Sequence, residues 1–265
     1  NKVVMPFSDT NNSEHLSAVV GTVTGGTTNT IAWGSRVELD TTNRYADFFD
    51  ATFDSNVNKT VVAFCDTNDN EYGKYVHITV SDTGVPSFGT LTTFHSARTE
   101  QIAIEHHADS GYNCVFFIDY PNSSYSKIHT AKINSSTGAF TTGESESTFY
   151  YSSINYHNLH YHAPSTSMIA SYTENSSTRA RAKAFSVSST GGISAGNDFV
   201  VDTSTTFSYR SPQLVTDTVT GKVQYAYFQQ QTANHNWARR NLLVSGTQIS
   251  LDSGTEVQFQ NYQYY

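Results

Sequence analysis

One glycine-centred phrase recurs along the chain and constrains its fold more than any other feature. The copies read "IAWGSRVEL", "PSFGTLTTF", "FTTGESESTF", "ISAGNDFVV" and "LDSGTEVQF", with glycines Gly34, Gly89, Gly143, Gly196 and Gly254 spaced 55, 54, 53 and 58 residues apart. Half a period away lies a second run: "KVVMPFSD", "KTVVAFCD", "NCVFFID", "SMIASYTE" and "KVQYAYFQ". Each ends at a polar residue, respectively Asp9, Asp66, Asp119, Glu174 and Gln229. A third run follows it ("LSAVVGTV", "KYVHITV", "KIHTAKI", "RAKAFSV", "ARRNLLV"). A fourth comes about a dozen residues after the glycine. It reads "ADFFDATFD" (46–54), "QIAIEHHAD" (101–109), "INYHNLHYH" (154–162) and "YRSPQLVTD" (209–217). The runs alternate or are continuously β-branched and aromatic, and turn residues separate them, so each reads as a strand. No window sustains a 3.6-residue period, so helix should be minor.

Four short strands in each repeat of about 55 residues predict an all-β chain folded as a five-bladed β-propeller. A single four-stranded sheet cannot bury both of its faces, and stacking each blade on the next does so. A β-helix would need shorter coils, and a sandwich would not repeat so regularly. The expected organisation is one domain over residues 1–265, with repeats at about 1–57, 58–112, 113–166, 167–221 and 222–265. The fourth run comes first in each blade and should line the central axis. Residues 1–9 then supply a second strand with no inner strand before it. The chain stops near where the next inner strand would begin. This leaves open a missing strand, another segment in its place, or a chain that is a fragment of a longer one.

The stretches "VVMPFSDTNNSEHLSAVVGTV" (3–23) and "VVAFCDTNDNEYGKYVHITV" (61–80) resemble the tandem β-propeller repeats of phage tail and virion proteins and of large bacterial surface proteins. The later repeats follow the pattern less closely, and the fifth has Gln229 in place of the acid. The resemblance implies a scaffold and a surface setting, not a reaction. Composition agrees with a virion or extracellular location: only 14% of residues are charged, against 17 Tyr and 16 Phe. A formal charge of −8 disfavours nucleic acid and anionic membrane as partners, since both attract basic surfaces. No apolar run approaches the roughly 20 residues of a membrane-spanning helix, so membrane insertion is not expected. Cys65 and Cys114 are too few for a disulfide scaffold and read as buried thiols on strands.

The histidines of "INYHNLHYH" raise the question of a metal. In an extended strand the side-chain period of two sends His157 to the face opposite His160 and His162. A site built on His160 and His162 would therefore have to recruit His107 from the adjacent blade. Aligning the inner runs places Asp50, Glu105, Asn158 and Gln213 at one position, a polar ring suited to channel water or a cation. The turn "DTNDNEYG" (66–73) begins like a calcium loop but lacks the downstream bidentate Glu, so no cofactor is expected, with calcium or another cation as the alternative. No nucleophile elbow, phosphate loop or H-E-x-x-H motif is present. A glycosidase needs only two separated carboxylates, and Asp50 with Glu105, or Asp47 nearby, could be that pair. Most repeats, however, carry similar groups at similar places, whereas an active site concentrates unlike groups in one pocket. The expectation is a non-enzymatic structural or receptor-binding module. Its partners would be a glycan or host-surface receptor and other structural proteins of the same assembly. The alternative is a propeller glycoside hydrolase. Tyr150 and Tyr151 in "TFYYSSINY" and Tyr262 in "FQNYQYY" are candidates to cover apolar sugar faces.

Overall fold

The alternating runs become antiparallel strands, and every repeat folds as one meander. The computed structural model describes residues 1–9, 15–25, 30–39, 46–121, 124–143, 147–151, 154–175, 179–202, 208–230, 235–252 and 257–262. Within these it leaves out the side chains of 47, 208–211, 230, 235 and 258–262. The first repeat has β1 (Lys2–Asp9), β2 (His15–Thr24), β3 (Thr30–Trp33) and β4 (Val37–Glu38), with β1, β3 and β4 all paired to β2. β1 is the edge strand and has β2 as its one strand partner among the described residues.

The second repeat runs β5 (Ala46–Asp54), β6 (Lys59–Asp66), β7 (Tyr72–Val80) and β8 (Pro86–Phe88), closed on β7 by the start of β9 (Thr92–His107). β9 continues as the inner strand of the third repeat, followed by β10 (Tyr112–Asp119), β11 (Tyr125–Ile133), β12 (Phe140–Thr142) and β13 (Ser147–Tyr150). These two repeats therefore share one nine-stranded sheet. The fourth repeat has the order β14 (Ile154–His162), β15 (Ser167–Glu174), β16 (Ala180–Val187), β17 (Ile193–Val200). The fifth has β18 (Ser208–Thr216), β19 (Val223–Gln230) and β20 (His235–Ser245), with β21 (Gln248–Leu251) and β22 (Val257–Tyr262) both on β20. Helical structure among the described residues is one turn of 3₁₀ helix, Ala163–Ser165.

Apolar seams between successive repeats hold the chain together. Leu16 and Ala18 of β2 meet Val62, Phe64, Val76 and Ile78, while Val61, Ala63 and Tyr75 on the other face meet Val115, Phe117 and Ala131. Cys114, Phe116 and Ile128 pack on Met168, Tyr172 and Phe185, and Ile169, Ala182 and Ala184 pack on Val223, Tyr225 and Leu242. β6 and β10 are apolar on both faces because both faces are covered. Cys65 and Cys114 are buried free thiols in these seams. Two of the repeat glycines, Gly143 and Gly196, sit where the outer hairpin of the next repeat arrives. A Cβ on Gly143 would collide with the backbone of Gly191, and one on Gly196 with the carbonyl of Thr247.

The inner hairpins fix the register. Asp54 and Lys59, His107 and Tyr112, His162 and Ser167 each flank a four-residue loop. The last loop residue is left-handed in every copy: Asn58, Gly111, Thr166 and Gly221 have φ of 55°, 73°, 51° and 68°. This hairpin corrects the sequence alignment. The inner strand of the third repeat is "TEQIAIEHH" (99–107), two residues earlier than the copy chosen by matching its terminal Asp109 to Asp54. Loop length, not the identity of the final acid, sets where the strand ends.

Candidate functional site

The inner strands β5, β9, β14 and β18 lie side by side in chain order. Pairing with the second strands puts Asp50, Ala103, Asn158 and Gln213 on one rung, opposite Ala63, Phe116, Ser171 and Ala226. Glu105 is thus not the counterpart of Asp50. It stands two residues further on, opposite Cys114, on the rung of Thr52, His160 and Val215. The ring of four polar groups is replaced by a rung interrupted by Ala103. Asn158 is half-buried and Gln213 exposed.

Asp50 and Glu105 nevertheless bind the second and third repeats together. Asp50 Oδ2 accepts the Ile104 N–H at 3.0 Å and Oδ1 accepts its neighbour's N–H, from Ala51, at 2.8 Å. The His106 N–H lies 3.2 Å from both Thr52 Oγ1 and Glu105 Oε1, and the Thr52 hydroxyl donates to Glu105 at 3.3 Å. Desolvation raises the Asp50 carboxyl above its usual range, the two backbone N–H groups offsetting part of it. Desolvation also pushes Glu105 up to about 7, opposed by the His106 and Thr52 hydrogen bonds and assisted by the nearby Asp50 charge.

The metal candidates are not brought together. His107 places Nε2 3.2 Å from the Thr166 carbonyl and accepts the Ser110 N–H at Nδ1. His162 repeats the arrangement one repeat later, with Nε2 2.9 Å from the Gly221 carbonyl and Nδ1 2.6 Å from Ser165 Oγ. Both histidines latch the end of an inner strand to the left-handed loop residue of the following repeat. His160 Nε2 meets Thr216 Oγ1 at 2.7 Å. Among the described residues no three His, Cys, Asp or Glu side chains are grouped to hold a metal ion.

The polar residues ending the second strands are explained by ion pairs. Asp9 meets Arg36, Asp66 meets Lys74 at 3.1 Å, Asp119 meets Lys127 at 2.8 Å, and Glu174 meets Arg181 at 2.8 Å. In the fifth repeat, where Gln229 replaces the acid, Arg240 reaches Asp202 instead, at 3.4 Å. Tyr150 belongs to one of these networks: its hydroxyl donates to Glu174 at 2.8 Å and its ring lies 5.3 Å from Tyr172. Tyr151 is 74% exposed and stands edge-on to Tyr125. The side chain of Tyr262 lies outside the described residues.

A different set of inner-strand residues forms the candidate site. Each inner strand carries one β-bulge at the same place, two residues opposing one: 48–49 against Phe64, 101–102 against Phe117, 156–157 against Tyr172, and 211–212 against Tyr227. The first bulge residue is left-handed in three successive copies, with φ of 43° at Phe48, 47° at Gln101 and 46° at Tyr156. None is glycine, and such a conformation costs a bulky residue about 1–3 kcal/mol. The bulges turn Phe48 and Tyr156 outward, 42% and 40% exposed. With Gln101, Ile102 and His157 they line a cavity of about 320 Å³. Gln101 bridges to the next inner strand, donating from Nε2 to Asn155 Oδ1 at 3.2 Å and accepting the Tyr156 N–H at Oε1 at 3.1 Å.

His157 forms the inner wall, its ring 4.7 Å from Phe116 and on the face opposite His160 and His162. Burial pushes this imidazole down to about 4, partly offset by the Phe116 and Gln101 backbone. Composition gives no warning of this rim. Its one signal in the sequence is that each inner run needs one more residue than its partner to bring both ends into register.

No protein-family model matches the chain, and no curated protein matches it. Among solved structures it is similar to a triple arginine-to-alanine mutant of AofleA from Arthrobotrys oligospora. The TM-score is 0.55 at 8% identity, over 95% of this chain and 66% of that one. The likeness is one of fold. This chain thus spans just under two thirds of that protein's length. Two exo-β-1,3-galactanases align less well. That from Phanerochaete chrysosporium, determined with β-1,3-galactotriose, gives a TM-score of 0.44 at 9% identity, over 69% of this chain and 44% of its own. That from Clostridium thermocellum gives 0.37 at 10%, over 92% and 66%. Both are too distant to bear on function.

Proposed function

We propose that the chain is a set of five propeller blades that binds glycans without cleaving them, as a module displayed on a virion or cell surface. The observation that carries this reading is the bulged rim. Three successive inner strands hold a strained backbone that presents Phe48, Gln101 and Tyr156 around one open cavity. Aromatic faces cover the apolar faces of sugars, and an amide supplies both a donor and an acceptor for hydroxyls. Strained backbone that presents exposed aromatic side chains beside a cavity points to use. Tyr151, on another part of the surface, is a secondary contact.

Glycoside hydrolysis is the second reading, favoured by the raised carboxyl of Glu105 beside Asp50. Against it, both Asp50 oxygens are taken by backbone N–H groups, and the equivalent rung carries Ala103, Asn158 and Gln213. A catalytic carboxylate does not tolerate an amide.

A glycan array read beside a reducing-sugar assay tests both. Phe48→Ala with Tyr156→Ala should abolish array binding, while Asp50→Asn with Glu105→Gln should leave fold and binding unchanged. Polysaccharide cleavage by the native protein that Glu105→Gln removes would sink the binding-only reading.

A further inference from the structure

The outer face of the first repeat is built like a seam, but its apolar side chains are exposed among the described residues. The strand-end acids set the equivalence: Met5, four residues before Asp9, corresponds to Val62, Val115, Ala170 and Tyr225. Those four are 0%, 1%, 0% and 0% exposed, whereas Met5 is 45% exposed. Val3 is 41% exposed, and its counterparts Met168 and Val223 are 0% exposed. Trp33, at 49%, pairs with Gly21 as Phe88 pairs with Ile78, and Phe88 packs into the first seam. Ile31 and Trp33 lie directly over Gly21, so with Val3 and Met5 they form one continuous apolar surface. Among the described residues the last repeat has an exposed apolar face too. Val215, Trp237, Leu243 and Val257 are exposed there, on the side away from the seam made by Tyr225 and Leu242.

We propose that these two faces bind each other between molecules, the fifth repeat of one copy docking on the first repeat of a second copy. The contact has the character of one the chain makes four times internally, with the facing sides of two successive repeats in the same order. The two free faces lie at opposite ends of the stack and point in opposite senses, as a head-to-tail contact requires. Trp237 departs from the internal pattern, standing where the second to fourth repeats have Gly73, Ser126 and Ala180. Its indole, 5.4 Å from Phe228, is the aromatic anchor of the junction. Such a heterologous contact yields a ring if its rotation closes and a filament if it does not.

Sedimentation velocity of the 265-residue chain over a wide concentration range tests this. The native protein should associate reversibly. Trp33→Lys and Trp237→Lys, both at exposed positions, should each weaken association more than about tenfold with unchanged melting temperature. Mixed together they should form a one-to-one pair and nothing larger, because each retains the face the other has lost. Met5→Lys mixed with Val257→Lys gives the same readout should either tryptophan variant fold poorly. A native chain that stays monomeric, association unaffected by Trp33→Lys, or a mixture that does not pair would each overturn the proposal.

Discussion

Two half-buried titratable side chains in the inner strands pull stability in opposite directions with pH. His157 takes the place of Phe49, Ile102 and Pro212 in the other bulges, and burial holds its folded value near 4 against an ordinary 6.5. A depressed folded value means that stability is fully present above pH 6.5 and is lost as pH falls toward 4. His157→Ile should therefore flatten the acid limb of a melting-temperature profile, and an unchanged limb would refute this. Glu105 runs the other way. Its folded value of about 7 exceeds the ordinary 4.5, so the unfolded chain ionises first and stability drops as pH rises between those values. Glu105→Gln should raise the melting temperature at pH 7 and above, with the difference vanishing below pH 4.5. Thermal scans of both variants against the native chain separate the two effects. Nothing in the spelling of "INYHNLHYH" distinguishes a ligand from a latch. That distinction depends on Ser165, Thr216 and Gly221, two of which belong to the next repeat.

At the scale of the strand, the bulge decides both register and exposure. It moves two consecutive side chains out of alternation, so Phe48 and Tyr156 leave the core while Phe49 and His157 enter it. Tyr156→Gly removes the penalty of a left-handed tyrosine and should stabilise the fold by up to about 1–3 kcal/mol, less the loss of the ring's own contacts. The same change should weaken glycan binding. Denaturant titration and array binding measured on one variant check both, and a variant that loses stability would show that the ring, not the ligand, justifies the strain. The second and third runs are legible almost to the residue because continuous or alternating apolar residues between turn residues mark them. The third inner strand lies two residues earlier than its sequence copy because a strand with a bulge no longer keeps a period of two. Asp109 also mimics Asp54 in composition while lying in the loop.

For the whole molecule, the period of the repeat makes the all-β chain of successive antiparallel sheets readable and the seams account for their stacking: a sheet apolar on both faces must stack. Among the described residues β1 has β2 as its one strand partner and so lies at an edge. What the sequence could not show is which residues of adjacent repeats meet. The candidate site was largely illegible for that reason, since Gln101 and Tyr156 are 55 residues apart and touch only across two inner strands. The candidate tyrosines fared unevenly: Tyr151 is exposed, while Tyr150 is tied into the Glu174 network.

β9 gives the array a history as well as a shape. Because this one strand of 16 residues closes the second repeat and opens the third within a single sheet, those two repeats cannot be cut apart without severing hydrogen bonds on both sides. A gene that grows by duplicating or losing single repeats would break cleanly only outside residues 92–107. The second and third repeats should therefore be inherited as a pair, and related chains of other lengths should keep that pair intact.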